Sequence, residues 1–261
     1  MSLAARRYLA AAALLIGNLL LHKPLSDVCD AAYARLGRSA YEWLSLGAIG
    51  ALCLAGAIIL LRGGAARLRQ PRPVLALLAL AALSVAAQRT LLVSNVELVH
   101  LPQFALLAVL LLAAGLPAVA AWLVATLGGA LDELYQRLVI YPAVPNVYFD
   151  WNDIVLNAIG AAWAVVLVCG GRGTAPAAWS AGRRRAALAA ALAGVALAGW
   201  LAPPNVALGG AFPFVTPVLR GAMTGRLYHV MPASEGLLAL VVLWLLVALA
   251  VRAPAARGRL P

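Results

Sequence analysis

The chain has 261 residues, 64% hydrophobic and only 11% charged, with a mean hydropathy of +0.94. A soluble domain carries roughly 45–50% apolar and about 25% charged residues. A globule of this size cannot hide that much apolar surface, so a soluble fold is excluded and lipid is the main solvent. The net charge of +11 does not point to nucleic acid, because the basic residues sit in short loops between apolar runs and no basic stripe interleaves with aromatic residues.

A helix needs about 20 apolar residues to cross the hydrocarbon. In chain order the predicted spans are Tyr8–Leu21, Tyr41–Leu61, Val74–Val93, Leu101–Gly115, Pro117–Leu131, Ile154–Gly170, Ala186–Leu201 and Gly236–Val251. The first is an uncleaved span rather than a signal peptide, since His22-Lys23-Pro24 interrupts where a small-residue cleavage site should stand. Gly115 and Pro117 make a tight hairpin between the fourth and fifth spans; one long kinked helix is the alternative. The basic linkers Arg62–Arg72 and Arg172–Arg185 divide the chain into a helix pair over residues 1–72, a four-helix core over 73–171, and a linker with a second helix pair over 172–261. Residues Ala202–Glu235 form an apolar, turn-rich segment, expected to lie at the interface or to cover the polar end as a lid. The expected fold is all-α, a polytopic bundle of about eight transmembrane helices. Cys29, Cys53 and Cys169 follow no metal or redox spacing, and neither a disulfide nor a metal–thiolate site is expected.

Eight spans place both termini on one side. If that side is the cytoplasm, it holds Arg6, Arg7, Arg62, Arg67, Arg69, Arg72, Arg172, Arg183, Arg184, Arg185, Arg252, Arg257 and Arg259, the majority of the 20 basic residues. Lys and Arg favour cytoplasmic loops, so the expected orientation is N-in, C-in. All the carboxylates then fall at the outer side: Asp27, Asp30, Glu42, Glu97, Asp132, Glu133, Asp150, Asp153 and Glu235.

Three polar groups stand at that side. Asp150, Asp153 and Asn157 are spaced i, i+3, i+7, so they share one helix face, which Gly160 continues. Asp132, Glu133 and Gln136 end the preceding span, where the helix dipole disfavours carboxylates and stability alone would favour Arg or Lys. Gln88, Arg89, Glu97, His100 and Gln103 surround the start of the fourth span; Glu97, His100 and Phe104 are again i, i+3, i+7. Together these residues predict one shallow, outward-facing pocket. Glu133, Asp150, Asp153 and His100 are its candidate acid–base groups, because close like charges separate carboxylate pKa values. Arg89, Glu97, His100, Gln136 and Asn157 are its candidate substrate-binding groups, with Arg89 and His100 meeting an anionic head group. The acids could also hold a divalent cation through oxygen, but no metal or cofactor is assigned. The plain alternatives are a helix cap for Asp150 or Asp153, a solvated charge run for Asp132–Gln136, and a structural His100.

Glu133-x2-Gln136 followed by Asp150-x2-Asp153-x3-Asn157-x2-Gly160 resembles the signature of the VanZ-like membrane protein family. The run Val96–Leu111, with His100 and Phe104, is similar to the family's preceding span. The resemblance covers about residues 74–170; the segment between Gln136 and Asp150 is longer than in the family pattern. It implies a multi-pass protein of the bacterial cytoplasmic (inner) membrane, and a family associated with cell-envelope phenotypes, including low-level resistance to glycopeptide antibiotics such as teicoplanin. The expected function is therefore recognition of a lipid-linked envelope precursor or a glycopeptide at the outer pocket. A membrane scaffold without catalysis and a small proton-coupled carrier are the alternatives.

Overall fold

A computed structural model describes residues 1–62, 70–142, 149–170, 189–190, 193–195, 218–221 and 224–252. Most of the predicted span Ala186–Leu201, most of both basic linkers and the first part of the 202–235 segment lie outside the described residues.

The chain is mostly helical, as expected. Helix α1 is Leu3–Arg62, α2 is Pro71–Thr90, α3 is His100–Ala113, α4 is Ala118–Tyr135, α5 is Trp151–Cys169 and α6 is Ala233–Ala250. A 3-10 turn, Asn95–Val99, leads into α3, and a single π turn, Gln136–Ile140, closes α4. Among the described residues, six helices are long and apolar enough to cross a membrane. The chain is a membrane protein by that measure; the expected count of eight spans is not confirmed, since two predicted spans share α1 and most of another lies outside the described residues.

The largest departure from expectation is in α1. Tyr8–Leu21 and Tyr41–Leu61 belong to one helical element of 60 residues, broken at Gly37 with φ 73° and ψ 164°. The intervening residues are polar enough to end a span but keep strong helix formers, and the Lys23 ammonium pairs with Asp27 one turn on. A positive φ with extended ψ is a conformation that suits glycine, and the break falls on Gly37. The break reverses the chain enough to bring Tyr33 and Tyr41 edge to face at 5.5 Å.

The hairpin between α3 and α4 forms as expected, with Gly115 at φ 102°. At the same end of the bundle, the Arg7 guanidinium donates to the Ala113 carbonyl at 2.6 Å, so the start of α1 caps the free carbonyls at the end of α3.

Helix α5 is the axis of the molecule and the most buried of the candidate spans. Without a hydrophobic force between helices in lipid, association depends on close van der Waals contact between small residues. Ala158, Ala161, Ala162 and Ala164 are fully buried. A Cβ at Gly160 would collide with the Leu101 backbone, so α3 meets α5 main chain to main chain there. Trp122 of α4 adds a hydrogen bond from its indole N–H to the Ala158 carbonyl, 2.9 Å.

The described end of the 202–235 segment is a correction to the all-α expectation. Val218–Arg220 (β1) and Leu227–His229 (β2) pair antiparallel, Leu219 opposite Tyr228. This hairpin is anchored on the polar end of the bundle. The Thr224 hydroxyl donates to the Val93 carbonyl at 2.7 Å. Buried Asn152 donates to the carbonyls of Leu91 (3.0 Å) and His229 (2.7 Å) and accepts from the Met231 N–H (3.0 Å). One side chain at the start of α5 thus ties together the ends of α2, β2 and the lead into α6.

Candidate functional site

At the polar end, α3, α4 and α5 bring His100, Asp132, Glu133, Gln136, Asp153 and Asn157 into one buried cluster. Its centre is His100. The ring Nδ1 is 2.9 Å from the Asn157 carbonyl oxygen, and Nε2 is 3.4 Å from an Asp153 carboxylate oxygen. An amide oxygen only accepts, so Nδ1 carries a proton and donates it. Nε2 therefore either accepts at its lone pair or, in the imidazolium form, donates toward Asp153. Phe104, one turn along α3, stacks near-parallel on the imidazole with ring centroids 6.3 Å apart. The i, i+3, i+7 spacing thus does what it predicted for His100 and Phe104, and the i, i+4 pair Asp153 and Asn157 grips the same ring from α5.

The second wall is the end of α4. The Gln136 amide donates to both Asp132 (3.2 Å) and Glu133 (2.9 Å). It does so from the first residue of the π turn, where the Tyr141 N–H reaches back to the Gln136 carbonyl at 2.8 Å. Single π turns often mark functional sites, because the extra residue re-aims side chains. Gly129, two turns earlier on α4, lets Asn157 press against the helix backbone: a Cβ there would sit 2.5 Å from the Asn157 amide nitrogen.

Two atoms of this cluster have no hydrogen-bond partner among the described residues. Asn157 Nδ2 and Asp132 Oδ1 are both buried and unpaired. Each such group costs roughly 1–3 kcal/mol, and Asn157 itself is fully buried. Among the described residues the site thus holds one spare donor and one spare acceptor.

Asp150 has a different task. It is the N-cap of α5, and its carboxylate accepts the Asn152 N–H at 2.8 Å. Burial first, and the Asp153 carboxylate second, push the Asp150 carboxyl up to about 7. It is therefore both a cap and a group that titrates near neutrality, beside the cluster rather than at its centre.

The structure corrects the single shallow pocket in three ways. The cluster is buried: His100 is 7% exposed, and Asp132 and Glu133 are 2% exposed. Glu97 stays within electrostatic range of His100 and Asp153, but its carboxylate is taken up by the backbone N–H groups of Val93 (3.0 Å) and Ser94 (3.2 Å) and completes a capping box. Arg89 is exposed and lines a separate cleft of about 670 Å³ together with Arg38, Gln88 and Arg226. The reason is the tight turn at residues 91–95, which carries the end of α2 away from α3 before the chain re-enters the bundle. Among the described residues no group of three or more His, Cys, Asp or Glu is placed to hold a metal ion.

Sequence reasoning missed His22. It lies on α1, edge-on to Tyr141 at 6.4 Å between ring centroids, within electrostatic range of Asp132, Asp153 and His100. The signal available was a histidine at the outer end of the first apolar run, on the side where the carboxylates collect. Asn152 and Asn95 were missed as well; both are buried organisers of the polar end. Comparison with models of known families, with curated proteins and with solved structures finds no match for this chain.

Proposed function

We propose that this chain is a VanZ-like integral membrane protein of the bacterial inner membrane, whose polar end faces outward and recognises the head group of a lipid-linked envelope precursor or a glycopeptide. The observation that supports this reading is the buried His100–Asn157–Asp153 constellation with two unpaired polar atoms beside it, Asn157 Nδ2 and Asp132 Oδ1. An arrangement of acids, amides and one imidazole inside a membrane bundle is expensive unless it is used. In this reading Asn157 and Gln136 orient hydroxyl or amide groups of the ligand. His100, poised between Asn157 and Asp153, exchanges a proton with it, and Glu133 supplies the second acid–base group.

The test is binding and turnover of a panel of lipid-linked envelope precursors and glycopeptides by the purified protein, with Asp153→Ala and Glu133→Gln beside the wild type. One panel member should bind, with at least a tenfold loss in Asp153→Ala. A scaffold would tolerate both substitutions with full envelope function and normal insertion, and that result would sink this reading. Proton uptake coupled to movement of a solute, abolished by Asp153→Asn, would establish the carrier instead.

A further inference from the structure

The cleft that holds Arg89 is a second site, remote in chemistry from the His100 cluster. Its walls are the α1 segment after the Gly37 break, the last turns of α2 and the turn of the β hairpin. Three arginines line it, Arg38, Arg89 and Arg226, against a single carboxylate, Glu42. That carboxylate is already committed: one oxygen accepts the Ser94 hydroxyl at 2.5 Å and the other accepts the Asn95 N–H at 3.0 Å. Arg226 is held in place by Asn95, whose side-chain oxygen it meets at 3.2 Å, and the Gln88 amide shares that oxygen at 2.9 Å. The cleft therefore presents an excess of positive charge over a braced polar floor.

The remaining wall is apolar and faces outward. Trp43 is 71% exposed and Val85 is 60% exposed, both on cleft walls. A Trp beside arginines at the end of an apolar span is the pattern of a membrane–water interface. A volume of about 670 Å³ lies within the usual range of small-ligand sites, about 300–1,000 Å³. Positive charge at the interface with an open apolar flank below it selects an amphiphile: an anionic head group against the guanidiniums, and acyl chains running down past Trp43 and Val85.

We propose that this cleft is a binding site for a phosphate-bearing anionic lipid, entered sideways from the bilayer. Guanidinium groups match phosphate oxygens in bidentate geometry, and Arg38 and Arg89 are the exposed pair that would close on the head group. The site is independent of the proposed function of the His100 cluster.

Native mass spectrometry of the detergent-solubilised full chain tests it, with dioleoyl phosphatidylglycerol, dioleoyl phosphatidylcholine and inorganic phosphate as probes. Phosphatidylglycerol should bind at least tenfold tighter than phosphatidylcholine. The double variant Arg38→Gln/Arg89→Gln should lose about tenfold in that affinity, while Arg6→Gln, which removes a positive charge elsewhere, should not. Asp153→Ala should bind phosphatidylglycerol as the wild type does, which separates this site from the buried cluster. Equal binding of the two lipids, or an unchanged affinity in the double variant, overturns the proposal. Full displacement of the lipid by millimolar inorganic phosphate also overturns it, since the site would then be one for a free anion.

Discussion

Asp150 and Asp153 are three positions apart and have the same side chain, yet they act differently. Asp153 faces His100 across 3.4 Å, whereas Asp150 turns back to cap its own helix. In the sequence both fit a cap and both fit a site, and only the ring contributed by α3 divides them. The raised Asp150 carboxyl gives a consequence with a definite sign. An unperturbed Asp ionises near 3.9, and this one near 7. Between those values the folded chain holds a proton that the unfolded chain has released. Stability must therefore fall as pH rises through that window, and the loss is complete above about 7. Asp150→Asn keeps a good cap and cannot ionise. Thermal unfolding in detergent should show the wild type losing stability from pH 5 to pH 8. The variant should lose less, by about 2–4 °C for each kcal/mol of ionisation penalty removed. An identical drop in both proteins would show that Asp150 is not the group responsible.

Helix α5 was the most legible element, because its polar stripe and its small residues follow one spacing. Asp153, Asn157 and Gly160 lie on one face, and the glycine is where α3 touches it. The consequence is a steep packing requirement. Gly160→Val puts branched bulk against the Leu101 main chain, which cannot rotate away as a side chain would. Overpacking usually costs about 1–3 kcal/mol, and here the upper part of that range is expected. Unfolding in a graded denaturing detergent should show the loss, and because α3 carries His100, ligand binding at the buried cluster should weaken with it. Gly47→Ala, with open space around its Cβ position, should change neither. Elements fixed by distant contacts were not legible. Glu97 did carry a local signal, since Ser94-x2-Glu97 is the spacing of a capping box, but nothing local shows that Arg89 is turned away from His100, because that depends on the path of the chain between α2 and α3. The β hairpin was hidden for the same reason: its strands are three residues long, and Asn152, far away in sequence, holds it down.

At the scale of the whole molecule, the His100 cluster and the Arg7 cap lie at opposite ends of α3. His100, the end of α4 and the start of α5 share one end, while Arg7 meets Ala113 at the far end of α3. Under the orientation expected from the charge count along the sequence, the end that carries Arg7 faces the cytoplasm. Orientation matters for the proposed function, since a head group assembled outside the membrane must meet the His100 cluster from that side. The prediction is direct. In a background with Cys29, Cys53 and Cys169 replaced by Ser, a single Asn146→Cys substitution places a thiol in the segment between α4 and α5. Ala66→Cys places one between α1 and α2. A membrane-impermeant maleimide applied to spheroplasts should label the Asn146→Cys protein at once. It should label the Ala66→Cys protein only after the membrane is permeabilised. The opposite pattern would turn the cluster toward the cytoplasm, where it would meet a precursor before export, and the arginine cleft would then face the inner leaflet. Labelling of both proteins without permeabilisation would mean that the chain does not separate these two segments, and the bundle would need a different number of crossings between them.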